Sequence, residues 1–133
     1  MKTRLIAPCG MNCAICSGYL REKNTCPGCR GMDESNPGYC RKCSIKHCII
    51  LKEKGMKYCS ITCEKYPCKR LRDLDKRYKS RYGMSMIENL EFIKKNGIRT
   101  FLKHEKQRWI RDNKIFCVHT KKYFEITALK KRT

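Results

Sequence analysis

Residues 26–43 read CPGCRGMDESNPGYCRKC, two CxxC pairs with ten residues between them. A CxxC turn brings two sulfurs onto one ion, and two such turns separated by a dozen or so residues complete a tetrahedral Zn²⁺ site. By spacing, Cys26, Cys29, Cys40 and Cys43 are therefore the strongest single metal site in the chain. The intervening MDESNPG is turn-forming rather than periodic, so this stretch has no apolar face with which to build a core. Its cysteines must hold it together.

The same chemistry extends to both sides. On the N-terminal side, PCGMNCAICSGY (8–19) places Cys9, Cys13 and Cys16 at CxxxCxxC spacing, the spacing by which radical enzymes hold an iron–sulfur cluster with one iron open. On the C-terminal side, CIILKEKG (48–55) predicts a short helix from Cys48 to Lys54, ended by Gly55 in a left-handed conformation. So short an apolar run is equally compatible with a buried strand. If it is a helix, it returns the chain to CSITCEKYPC (59–68), and Cys48, Cys59, Cys63 and Cys68 make a second four-sulfur site. The opening triad then lacks a fourth protein sulfur. His47, a water on a catalytic Zn²⁺, or the open iron of a [4Fe–4S] cluster are the alternatives, and interleaved or cysteine-bridged sites fit the same count.

Of the 12 cysteines in the 133-residue chain, eleven fall between positions 9 and 68 and only Cys117 lies outside. Dense cysteines also occur in secreted disulfide domains. The odd number in the cluster, the CxxC pairs and a start, MKTRLIAPCG, too short in apolar residues for a signal peptide all favour metal in a cytoplasmic protein. Eleven sulfurs correspond to about three zinc ions. The expected fold is a small metal-stabilised cysteine-rich domain of irregular loops, short helices and hairpins (1–68), followed by a short α-helical segment (69–133). No apolar run is long enough to span a membrane.

In the second part, Leu71, Leu74 and Tyr78 line one helical face after Pro67, which suits a first helical position. Gly83 breaks the chain. Ser85 and Glu88 form a capping box for a second helix with Met86, Ile87, Leu90 and Ile93 on its apolar face, and Asn96-Gly97 ends it. A third helix covers IRTFLKHEKQRWI (98–110), and IFCVH and KKYFEI read as a weak hairpin.

Charge is the other strong signal. Residues 1–68 hold 12 Lys/Arg and 5 Asp/Glu and residues 69–133 hold 20 and 7, so the formal +20 divides as +7 and +13. Binding of about three divalent ions by eleven thiolates lowers the total by roughly five, leaving the protein strongly basic. Nucleic acid, an anionic membrane or an acidic protein is the partner such a surface favours, and charge alone does not choose among them. Arg70, Lys76, Arg77, Lys79 and Arg81, interleaved with Tyr78 and Tyr82, are the candidate phosphate contacts and stacking rings.

PCGMNCAICSGY, CPGCRG and GYCRKCSIKHCIILKEKGMKYCSITCEKYPCKRL follow one another in the order CGxxCxxC, CxGC, YCxxCxIxxC and CxxxCxxYPCxxL. This order resembles the cysteine-rich prokaryotic family called domain of unknown function 3795, over about residues 5–75. The resemblance implies a zinc-binding module in a cytoplasmic bacterial or archaeal protein and no particular reaction. Longer members continue into a small zinc ribbon containing CVH, whereas here only Cys117 and His119 remain of its ligands. Cys117 is thus expected to be a small, half-buried strand residue.

Three function classes follow: a metal-binding module with a nucleic-acid-binding basic half, a metallo-adaptor for protein partners, and an iron–sulfur or redox protein or metalloenzyme using Cys9, Cys13 and Cys16. No Ser/His/Asp set, paired carboxylates or phosphate loop supports a reaction, so the third ranks last.

Overall fold

The computed structural model describes residues 2–21, 25–30, 45, 48–59 and 63–127. Cys40, Cys43 and His47 lie outside the described residues. The chain begins with a wholly buried segment, residues 5–15, in which Ile6 bridges Asn12 and the Ala7 N–H donates to the Met11 carbonyl at 2.8 Å. Asn12 fixes the next turn through its side chain, which accepts the Ala14 N–H at 3.0 Å and caps a single 3₁₀ turn, Cys13–Ile15. A one-turn helix follows, α1 (Ser17–Leu20).

Helix α2 (Ile49–Glu53) occupies the short apolar run after Cys48, and Gly55 adopts φ 60°, the left-handed conformation its position after a helix predicts. Helix α3 (Lys69–Tyr82) starts with Cys68 as its N-cap, which leaves Pro67 one residue outside the helix rather than in its first turn. Leu71 and Asp75 are buried on its inner face, and Leu74, Tyr78 and Tyr82 are half-buried. Gly83, at φ 65°, ends α3 with its N–H on the Lys79 carbonyl.

Helix α4 (Met86–Asn96) is capped by Ser85, whose hydroxyl accepts the Glu88 N–H at 3.0 Å. Its start is also tied to the preceding helix. Asp75 of α3 takes a hydrogen bond from the Ser85 hydroxyl at 2.5 Å and from the Ile87 N–H at 3.0 Å. Burial alone would raise the Asp75 pKa, but these donors and the neighbouring Lys79 ammonium outweigh it and hold the carboxyl below its ordinary range. Gly97 (φ 88°, ψ 160°) closes α4 and directly precedes α5 (Ile98–Trp109). The third expected helix stops one residue early, because Ile110 turns extended and begins a sheet.

That sheet has three antiparallel strands in the order β1 (Ile110–Arg111), β2 (Lys114–Phe116) and β3 (Tyr123–Glu125), with Ile115 opposite both Ile110 and Phe124. The expected hairpin is its β2–β3 half. Trp109 stacks on Phe116 with centroids 5.7 Å apart. Among the described residues no helix is long and apolar enough to cross a membrane.

One core joins these parts. Leu5, Ala7, Met11, Ile15 and Leu20 from the cysteine-rich half pack with Leu71, Met86, Leu90 and Trp109 from the helices, Ile115 from the sheet, and Cys117 and Val118 from the turn after β2. Burying a large apolar side chain contributes about 1.5–3 kcal/mol, so this shared core is a major source of cohesion. The contact between the buried N-terminal segment and α4 is close enough to require glycine. A Cβ on Gly10, which has φ 93°, would lie 2.7 Å from the Met86 carbonyl oxygen, and the Gly10 carbonyl accepts from the Asn89 side chain at 3.0 Å. A smaller cluster of Ile6, Ile93 and Phe101 closes the far side.

Candidate metal centre

Four thiols border one small cavity where α2 and α3 begin. Cys48 and Cys68 are the N-caps of these helices, and with Cys59 and Cys63 they line a cavity of about 30 Å³. Ile45, Leu51 and Leu71 supply its apolar wall and Arg70 stands at its edge. A space of this size takes one water-sized particle. Burial pushes the Cys59 thiol up to about 12, with the nearby Cys68, Cys48 and Cys63 adding to the effect. Cys48 behaves oppositely. Burial would raise its pKa, but the Leu51 and Ile50 N–H groups and the Arg70 guanidinium together lower it. Arg70 donates to the Cys48 sulfur at 3.2 Å and also bonds Cys68, contacts that raise its own pKa. The guanidinium is exposed but engaged with these thiols, which leaves it less available as a phosphate contact.

A second group gathers around the first turns of the chain. The Cys13 thiol hydrogen-bonds to Cys29, a contact that, with burial, raises the Cys13 pKa. Burial raises that of Cys16 as well, against the Gly18 and Tyr19 N–H groups, and Cys26 and Cys29 lie beside it. Cys26 and Cys29, which spacing pairs with Cys40 and Cys43, thus stand next to Cys13 and Cys16. Cys9 is buried on the same side, and with Cys16 and Cys13 it raises the Tyr78 pKa beyond what burial alone does.

Tyr78 leads to a residue that spacing did not single out as a neighbour of this group. Its hydroxyl lies 3.0 Å from His119 Nε2, while His119 Nδ1 accepts the Ser17 N–H at 3.1 Å. Burial lowers the His119 pKa, and because Nδ1 accepts a backbone N–H, the tautomer that fits carries its proton on Nε2 toward the Tyr78 hydroxyl. Both ring nitrogens are engaged, and Tyr78 and Tyr82 pack against the ring edge at 5.8 and 4.9 Å. His119 braces the sheet against the first cysteines, helped by the Val118 N–H on the Ile15 carbonyl at 3.0 Å. Its only trace in the sequence is the isolated CVH. Cys117 is fully buried just past β2, not half-buried within a strand, and its sulfur receives the Thr120 N–H at 3.5 Å.

Among the described residues no two cysteines are joined by a disulfide, and no three His, Cys, Asp or Glu side chains converge on one point as metal ligands. By donor type the two groups still fit a thiophilic ion, since each offers four cysteines with backbone N–H groups or an arginine turned onto the sulfurs.

The family model for proteins of unknown function DUF3795 matches residues 5–73, more than half of the 133-residue chain. The chain belongs to this family. The DUF3795 span holds all eleven clustered cysteines and ends inside α3, so both thiol groups lie within the matched region while α4, α5 and the sheet lie beyond it. No curated protein and no solved structure matches the chain.

Proposed function

We propose that this DUF3795 chain is a metal-binding module whose cysteines hold zinc, about three ions in all. The observation that carries the reading is the cavity of about 30 Å³ walled by Cys48, Cys59, Cys63 and Cys68. Four thiolates satisfy the tetrahedral preference of Zn²⁺ and leave no coordination position for substrate, so a structural role fits them better than a catalytic one. The bound ion supplies the positive charge that offsets repulsion among the four thiolates. Cys48, Cys59, Cys63 and Cys68 would hold one ion, with Arg70 donating to the sulfurs. Metal analysis by mass on anaerobically purified protein tests the reading. Zinc near three equivalents is expected. Stoichiometric iron in a brown protein favours the iron–sulfur alternative on Cys9, Cys13 and Cys16, and reduced thiols with no metal overturn both.

A second reading is sequence-independent nucleic-acid binding by α3, favoured by the exposure of Lys76, Arg77 and Arg81. The contact set is smaller than the charge run suggests. Arg70 is engaged with Cys48, Lys79 lies 3.6 Å from Asp75, and Tyr78 and Tyr82 pack on His119 rather than presenting rings for stacking. Phosphate contacts alone would give strongly salt-dependent affinity. Labelled oligonucleotides titrated at two salt concentrations test it: Arg77→Glu with Arg81→Glu should flatten the salt dependence. Unchanged binding leaves an acidic protein as the partner.

A further inference from the structure

We infer that Cys13, Cys16, Cys26 and Cys29 form one four-sulfur metal site, built from two crossed CxxC turns, in place of the set Cys26, Cys29, Cys40 and Cys43 that spacing favours. The inference rests on the metal-binding reading and assigns ligands within it. Four observations carry it. The Cys13 thiol hydrogen-bonds Cys29, and Cys16 lies beside Cys26 and Cys29, so each turn faces the other through both of its sulfurs. The Cys26 N–H donates to the Gly18 carbonyl at 2.8 Å, which ties the second turn to the chain just after the first. Glycine occupies both crossing points. A Cβ on Gly18 would lie 3.3 Å from the Cys26 Cβ, and one on Gly28, whose φ of 98° itself favours glycine, would lie 3.3 Å from a Leu5 methyl and in ordinary contact, 3.7 Å, with the Cys13 Cβ.

The fourth observation is the anchoring of both turns. The Gly18 and Tyr19 N–H groups lie close enough to the Cys16 sulfur to favour its thiolate, the type of donor that orients a thiolate ligand. Arg30, directly after Cys29, donates through Nε to the Ile6 carbonyl at 2.8 Å and stacks 4.9 Å over the Tyr58 ring. The second turn is thereby clamped to the buried N-terminal segment that carries Cys13. The first turn has CxxC spacing of its own at Cys13 and Cys16, so the crossing completes the S₄ donor set of a closed zinc site.

Two measurements on the full chain, purified anaerobically with its metal, test the assignment. In the first, zinc is counted in paired variants. Cys16→Ser with Cys26→Ser should lose about one ion in total, because both residues serve the same ion, and Cys26→Ser with Cys40→Ser should lose about two. The reverse pattern overturns the assignment while leaving the metal-binding reading intact; a wild-type protein without metal overturns that reading itself. In the second, which needs no variant and so is immune to misfolding, metal is withdrawn in steps by a chelator and the released thiols are alkylated and mapped by mass. Cys13, Cys16, Cys26 and Cys29 should be labelled together. Joint labelling of Cys26 and Cys29 with Cys40 and Cys43, and not with Cys13 and Cys16, overturns it.

Discussion

Single side chains in this protein are assigned by what they touch rather than by their type. Arg70 is one of 32 Lys/Arg residues, yet its guanidinium lies on Cys48. A donor to a ligating sulfur is worth roughly ten- to a hundredfold in metal affinity, and the exposure of the Arg70 side chain places it at the lower end. Arg70→Gln should therefore weaken metal binding about tenfold in a chelator competition. Arg72→Gln, the same charge change on an exposed neighbour, should leave it unaltered; equal effects would mean that only bulk charge matters.

Glu105 is the converse case, an acid with 1 % of its surface exposed. Burial raises its pKa even though the Trp109, Arg108, His104 and Asn12 side chains nearby favour the anion. Glu105 Oε2 and Trp109 Nε1 have no hydrogen-bond partner among the described residues. A carboxyl whose folded pKa is raised contributes its full stability below the unfolded value, near 4.3, and loses it as pH rises through the folded value. Glu105→Gln should thus flatten the fall in melting temperature between acid and neutral pH, and an unchanged pH profile would show that the group is already ionised at no cost.

At the scale of elements, the joint between α3 and α4 shows how a local signal is completed at a distance. The Ser85–Glu88 pair predicts the start of α4, and the Ser85 hydroxyl does cap it. The same hydroxyl also donates to Asp75 one helix earlier, and Asp75 takes the Ile87 N–H as well. Loss of an N-cap costs about 1 kcal/mol, and loss of a donor to a buried carboxylate adds to it. Ser85→Ala should destabilise the protein by about 2 kcal/mol in denaturant unfolding. Combined with Asp75→Asn it should cost less than the sum of the two, since both act on one network. Strict additivity would show that the cap and the carboxylate work separately.

On the scale of the molecule, the cysteine-rich and helical halves share a core, with Met11 and Ile15 in the same cluster as Leu71, Leu90 and Trp109. If metal holds the first half in shape, withdrawing it removes one wall of that core. Trp109, far from any clustered cysteine in sequence, then becomes a reporter. Chelation should shift its fluorescence and abolish the cooperative thermal transition together. Loss of metal with the Trp109 signal and helical dichroism unchanged would show that the helices stand alone.

The local elements are legible in the sequence because their signals are local. Gly55 and Gly83 sit at left-handed ends, Ser85 caps α4, and the periodic apolar residues of the three long helices point inward. The short helix after Cys48, by turning the chain back, also accounts for Cys48, Cys59, Cys63 and Cys68 lining one cavity. Tertiary contacts alone bring the CxxC turn of Cys13 and Cys16 beside that of Cys26 and Cys29. Such a turn is a self-contained unit with two sulfurs, and any two of them satisfy the same spacing rule, so the neighbours of Cys26 and Cys29 depend on how Gly18, Gly28 and Arg30 let the chain cross. The same holds for His119, Asp75 and Glu105. Each is a polar residue whose partners lie across the fold, and hydrophobic periodicity carries no information about them.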